Sequence, residues 1–163
     1  MGRSFTYQWS KDEYKEQKSD AEDDGFDYSH FDICVSKRFE SAGIRKGDSL
    51  YIVSCFDKKL YLLGRFDVYE VRFGDKESKQ NDELFVDPEN PNLMYFDIVV
   101  PSEIIRTIKF IDGNRPKLVS SSPDAVPDPQ TFRPPRQITQ ASANAFDNLL
   151  FSKQKLPDMQ SDR

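Results

Sequence analysis

Ser49 to Phe73, SLYIVSCFDKKLYLLGRFDVYEVRF, decides the fold. Two runs rich in β-branched and aromatic residues, Ser49 to Phe56 and Leu60 to Phe73, flank the polar triplet Asp57, Lys58 and Lys59, a spacing of hairpin length. An antiparallel pair is predicted. Gly64 inside the second run predicts a bulge or bend, the device by which a small sheet curls. Upstream, the step Gly47 and Asp48 leads into the first strand, where glycine permits a tight turn and the carboxylate accepts backbone N–H groups.

Moving outward, Phe31 to Val35 has strand character, and Lys37 to Ala42 followed by Gly43 predicts one or two helical turns stopped by a glycine. Ser4 to Trp9 is an aromatic-rich strand whose two-residue period puts Phe5, Tyr7 and Trp9 on one face. On the other side, Leu84 to Val86 and Leu93 to Val100 are strand-like around Pro88 and Pro91, and Pro101 begins a helical turn through Arg106. Seven of the ten prolines fall after residue 115, a composition that suits an extended linker over 116–138. Thr139 then caps a helix with Ala143, Phe146, Leu149 and Leu150 on one stripe, which packs on its own sheet or on a partner. The expected organisation is one domain over 1–115, a linker over 116–138, and a helix with tail over 139–163.

A chain of 163 residues has room for one domain, and Leu, Ile, Val and Phe make up about a quarter of it, enough to build a core. No apolar run approaches a membrane span, and MGRSFTYQW lacks the apolar stretch of a signal peptide, so a cytoplasmic protein without membrane contact is expected. Cys34, Cys55 and the lone His30 cannot complete a four-ligand zinc site, and both cysteines lie in apolar runs that suit buried thiols. No metal or cofactor is implied. The net charge of −5 is concentrated in residues 11–27, where eight acids face three lysines; the rest of the chain is balanced. That segment is either a solvated helix face or a flap that keeps polyanions from a site.

Ser36 to Val71 carries a loop with Ser, Arg and Phe, the Gly47–Asp48 step, the hairpin, and the Leu63–Gly64–Arg65 element, in an order that resembles the PUA-like superfamily, and within it the EVE branch. The resemblance implies an α+β fold: a small, curled, mostly antiparallel β pseudo-barrel with flanking short helices and a C-terminal helix. It also implies a non-catalytic reader of nucleic acid, DNA more than RNA, that holds one modified or flipped base in an aromatic pocket. Such readers act as sensors in modification-dependent restriction, which makes an effector such as a nuclease the expected protein partner.

Aromatic faces for stacking and hydrogen-bond groups for a base edge are what such a pocket needs. Tyr7, Trp9 and Phe39 are the candidate faces, with Ser36 and Asp67, or the nearby Ser29 and His30, as polar readers. Lys37, Arg38, Arg45, Lys46, Lys58, Lys59 and Arg65 are the candidate phosphate contacts, seven cations against three acids in one stretch. Two other functions compete. A protein-interaction module would use the stripe of the C-terminal helix, extended by Phe151 and Leu156. An amide-cleaving nucleoside enzyme of the related ASCH branch would need a glycine and a Lys/Glu spacing that Lys37, Arg38 and Glu40 do not reproduce. No P-loop, dinucleotide fingerprint or nucleophile with an orienting histidine is present, so no catalytic residue is assigned.

Overall fold

A computed structural model describes residues 2–119 and 124–161, with side chains through residue 153. The elements run β1 (Ser4–Gln8), α1 (Lys11–Asp23), β2 (Tyr28–His30), β3 (Ile33–Ser36), β4 (Ser49–Phe56), β5 (Lys59–Asp67), β6 (Glu70–Arg72), β7 (Asp82–Phe85) and β8 (Leu93–Tyr95), then α2 (Ser102–Ile105), a 3-10 turn (Pro129–Phe132), β9 (Arg136–Ile138) and α3 (Gln140–Ser161). The fold is α+β. A six-stranded sheet has the order β2-β8-β5-β4-β1-β9, and a three-stranded sheet the order β3-β7-β6. The larger sheet is mixed, because β1 runs parallel to β4 while the other pairings are antiparallel. It does not close on itself: β2 and β9 are its two edges.

The hairpin forms as predicted, with Ser49 opposite Asp67 and Phe56 opposite Lys59. Asp57 and Lys58 both adopt left-handed conformations, φ 51° and 61°, the backbone of a two-residue turn whose twist matches that of the strands. The register shifts between Ile52 and Val53, opposite Gly64 and Leu62, so Leu63 is an extra residue. Gly64 is needed there for space: a Cβ would stand 2.5 Å from the Leu93 carbonyl oxygen and 2.8 Å from the Phe31 ring. The expected strand to Phe73 breaks after Asp67, and β6 joins the smaller sheet instead.

Side-chain alternation along β4 and β5 feeds two cores. Phe5, Phe31, Phe39, Leu50, Ile52 and Phe66 fill one side of the larger sheet, and Val53, Leu62, Phe110, Phe132, Phe146 and Leu150 the other. Most of the acidic segment, Lys11–Asp23, is a docked helix. Ser10 caps it by accepting from the Glu13 N–H (3.1 Å), and the Glu13 carboxylate accepts from the Ser10 N–H in return. Tyr14 and Ala21 anchor it, the Tyr14 hydroxyl donating to the Phe96 carbonyl, while its acids face outward.

The Pro-rich stretch is not an extended tether over its described residues. Phe132 is fully buried, and β9 pairs antiparallel with β1, Ser4 opposite Ile138. Proline is tolerated because Pro129 opens a 3-10 turn capped by Asp128, and Pro134 and Pro135 precede an edge strand. Thr139 caps α3, accepting from the Ser142 N–H at 3.3 Å. Ala143, Phe146 and Leu150 return to the chain's own core; the side chain of Leu156 lies outside the described residues. Among the described residues no helix is long and apolar enough to cross a membrane.

Candidate nucleic-acid interface

The seven expected phosphate contacts do not share one surface. Lys58 and Lys59 sit at the tip of the hairpin, while Arg45 and Lys46 precede its base. Seven strand steps separate the two, about 23 Å at ordinary strand rise. Lys37 and Arg38 follow β3, where Ser36 accepts from the Arg38 N–H (3.1 Å). Arg65 is on the α3 side of β5, already engaged with carboxylates. Its Nε donates to Asp67 at 2.7 Å and its Nη1 to Asp147 at 3.2 Å.

Of the expected base-pocket residues, Tyr7, Ser36 and Phe39 come together. The Tyr7 ring meets Phe39 edge-on at 5.0 Å, its hydroxyl donates to the Val35 carbonyl at 3.1 Å, and burial pushes the phenol above its ordinary range. Phe39 is fully buried, and Trp9, packed edge-on to Phe31 at 5.8 Å, is 7% exposed. Asp67 lies away from them, held by Arg65, by the Ser49 hydroxyl (2.8 Å) and by the Asn92 amide (3.2 Å). It lines a polar cavity of about 440 Å³ with Arg65, Asn92 and Asp147. Tyr51 donates to Asp147 at 2.7 Å from beneath.

A different depression gathers groups that no motif links. After β5, the Gly47 N–H donates to the Val68 carbonyl and the Tyr69 N–H to that of Phe85, which turns the chain out of the larger sheet and into β6. The turn leaves Tyr69 44% exposed. Tyr69 then lines a cleft of about 540 Å³ with His30, Asp32, Glu70, Phe85 and Pro91. The cleft shares Glu70 and Phe85 with a depression lined by Arg45, Lys46, Arg72 and Phe73, which in turn shares Arg45 and Lys46 with one that reaches Arg3; together they make up a groove. Lys46 stands over the Tyr69 ring at 5.5 Å and Arg72 over the Phe85 ring at 5.5 Å, so each cation lies beside an aromatic face.

The groove has two chemically different ends. Cations hold one: Arg45 and Lys46 form no ion pair among the described residues, and Arg72 has only the long 3.9 Å contact to Glu83. Rings and two carboxylates hold the other: Asp32 and Glu70 have no side-chain hydrogen bond or ion pair among the described residues. Asp48 braces the cationic end, accepting from the backbone N–H groups of Arg3 (2.9 Å) and Arg45 (2.8 Å) and pairing with the Arg3 guanidinium. That confirms the role expected of the Gly47–Asp48 step, with Gly47 at φ 93°. None of the groove's lining comes from α1. Both cysteines are buried and unpaired, and burial pushes the Cys55 thiol up to about 11. No group of three His, Cys, Asp or Glu side chains suited to a metal ion occurs among the described residues.

Arg45 and Lys46 are the only groove cations that the sequence reading named. Arg72, Tyr69 and Phe85 were missed. A signal exists in Tyr69-Glu-Val-Arg-Phe73, where apolar and charged residues alternate, but the strand-like run of the hairpin conceals it. Compared with known proteins, the chain matches no family model, no curated protein and no solved structure.

Proposed function

We propose that the chain is a non-catalytic nucleic-acid-binding module that holds a base at the aromatic end of this groove and backbone phosphates at its cationic end. The observation that carries the reading is their adjacency: a cleft lined by the half-exposed Tyr69 and by Phe85 shares Glu70 and Phe85 with a depression that three cations line. Stacking on an aromatic face is sequence-tolerant and contributes about 1–3 kcal/mol per base, while Lys and Arg supply the salt-dependent attraction to phosphate. The base goes to Tyr69 and Phe85 rather than to the Tyr7, Trp9 and Phe39 set, because Phe39 is fully buried and Trp9 nearly so. The order of elements in Ser36 to Val71 supports the same function through its resemblance to PUA-like, EVE-type readers. On that resemblance the curled sheets act as an open pseudo-barrel, the base is flipped or modified, DNA is preferred, and a nuclease acts on what is read.

Fluorescence anisotropy with short single strands and duplexes, unmodified and carrying modified bases, at two salt concentrations, tests the proposal. Binding is expected to weaken with salt, and Tyr69→Ala to lose about 5- to 100-fold in affinity with an unchanged circular dichroism spectrum. Absence of binding at low salt, or binding indifferent to Tyr69→Ala, overturns it.

A further inference from the structure

From the two unengaged carboxylates we infer that the groove selects a base with a donor edge, guanine before all others, and disfavours thymine and uracil. The inference rests on the function proposed above and specifies its ligand. Asp32 comes from the connection between β2 and β3 and Glu70 from β6, and both open into the cleft that Tyr69 and Phe85 line. No lysine or arginine lines the cleft itself, although Lys46 and Arg72 stand over the Tyr69 and Phe85 rings from the neighbouring depression. A base stacked there meets carboxylate acceptors at its edge.

Hydrogen-bond chemistry then ranks the bases. Guanine presents N1–H and the 2-amino group side by side, two parallel donors that match the two oxygens of one carboxylate. Cytosine and adenine offer one amino donor next to a ring acceptor, so a carboxylate gains one bond and faces one lone pair. Thymine and uracil set their single N–H between two carbonyl oxygens, which repel a carboxylate on either side. Because neither Asp32 nor Glu70 has a protein partner among the described residues and both are exposed, the bidentate bond displaces water and breaks no protein contact. An organic ammonium ion would also suit rings and acids, but the groove leads from them to Arg45, Lys46 and Arg72, which repel it and attract phosphate.

The test uses the full chain and fluorescein-labelled DNA pentamers: all thymidine, or with deoxyguanosine, deoxyinosine or N1-methyldeoxyguanosine at the centre. The guanine pentamer is expected to bind about 10- to 100-fold tighter than the thymidine pentamer. Inosine, which keeps N1–H and lacks the amino group, falls between, and the N1-methyl base binds no better than thymidine. In the double variant Asp32→Asn with Glu70→Gln the ratio of guanine to thymidine affinity is expected to approach one. If all pentamers bind equally, or the double variant keeps the preference, the selectivity inference is overturned while nucleic-acid binding stands. If no pentamer binds at low salt, both fall.

Discussion

The cavity beside α3, about 440 Å³, and the cleft that opens the groove along β6, about 540 Å³, are of similar size, yet cavity and groove treat charge in opposite ways. Beside α3, each charge is answered: Arg65 bridges Asp67 and Asp147, Ser49 and Asn92 donate to Asp67, and Tyr51 donates to Asp147. Burial, and then the hydrogen bond to Asp147, push the Tyr51 phenol above its ordinary range. In the groove, Asp32, Glu70, Arg45 and Lys46 have no ion-pair partner among the described residues. Matched groups hold a structure together, whereas unmatched, exposed ones are held only by water, which a ligand can displace. Arg65 thus serves as a clasp between the sheet and α3, although its place in a basic stretch marked it as a phosphate contact.

The largest effect expected from breaking the matched side is that of Asp147→Ala. It leaves the buried Tyr51 hydroxyl without its acceptor and Arg65 with one carboxylate fewer, a loss of about 2 kcal/mol by urea denaturation. Oligonucleotide affinity is expected to stay as it was; a fall in affinity at constant stability would make the cavity a binding site and erase the contrast.

A smaller effect sharpens the unmatched side. Replacing Arg45 by Gln is expected to lower the slope of log affinity against log salt by about one, alike for every sequence tested. Lys58→Gln, at the far tip of the hairpin, is expected to leave that slope unchanged. Equal changes from both would mean that phosphates follow the linear charge cluster and not the groove.

The smallest effect concerns acid. Burial alone raises the Asp67 carboxyl, but the hydrogen bonds from Arg65 and Ser49, with the Arg65 charge and Asn92, outweigh it and hold the group below the usual carboxylate range. A depressed value in the folded state means stability that is present above about pH 4 and is lost as the pH falls below it. Asp67→Asn is therefore expected to flatten the decline of the urea midpoint between about pH 5 and about pH 2. A decline as steep as in the parent would show that the Arg65 clasp contributes nothing there.

Local patterns made much of the fold legible. The hairpin could be read because dense β-branched and aromatic runs flank a polar turn, and α3 because Ala143, Phe146 and Leu150 repeat at helical spacing. What depends on distant pairing could not. The parallel seating of β1 on β4 and the pairing of β9 with β1 leave no local signature, and the prolines around β9 argue for a tether. The groove was hidden for the same reason. His30, Asp32, Arg45, Tyr69, Arg72 and Phe85 are spread over more than fifty residues and meet only because the chain leaves the larger sheet at Val68. Trp9, on an aromatic strand, is a natural candidate for a stacking face, but β1 lies inside the sheet between β4 and β9 and the ring is buried.

That internal place of β1 has a consequence for how the protein is made. Ser4 to Gln8 is synthesised before either of its neighbours: one, β4, begins at Ser49 and the other, β9, ends at Ile138. At ordinary elongation rates the second edge of β1 waits on the order of 10 s for its partner. The β4–β5 hairpin needs no such delay, so the nascent chain forms its centre early and admits its first strand late. During that interval the growing polypeptide is most exposed to chaperones and to its own copies on neighbouring ribosomes.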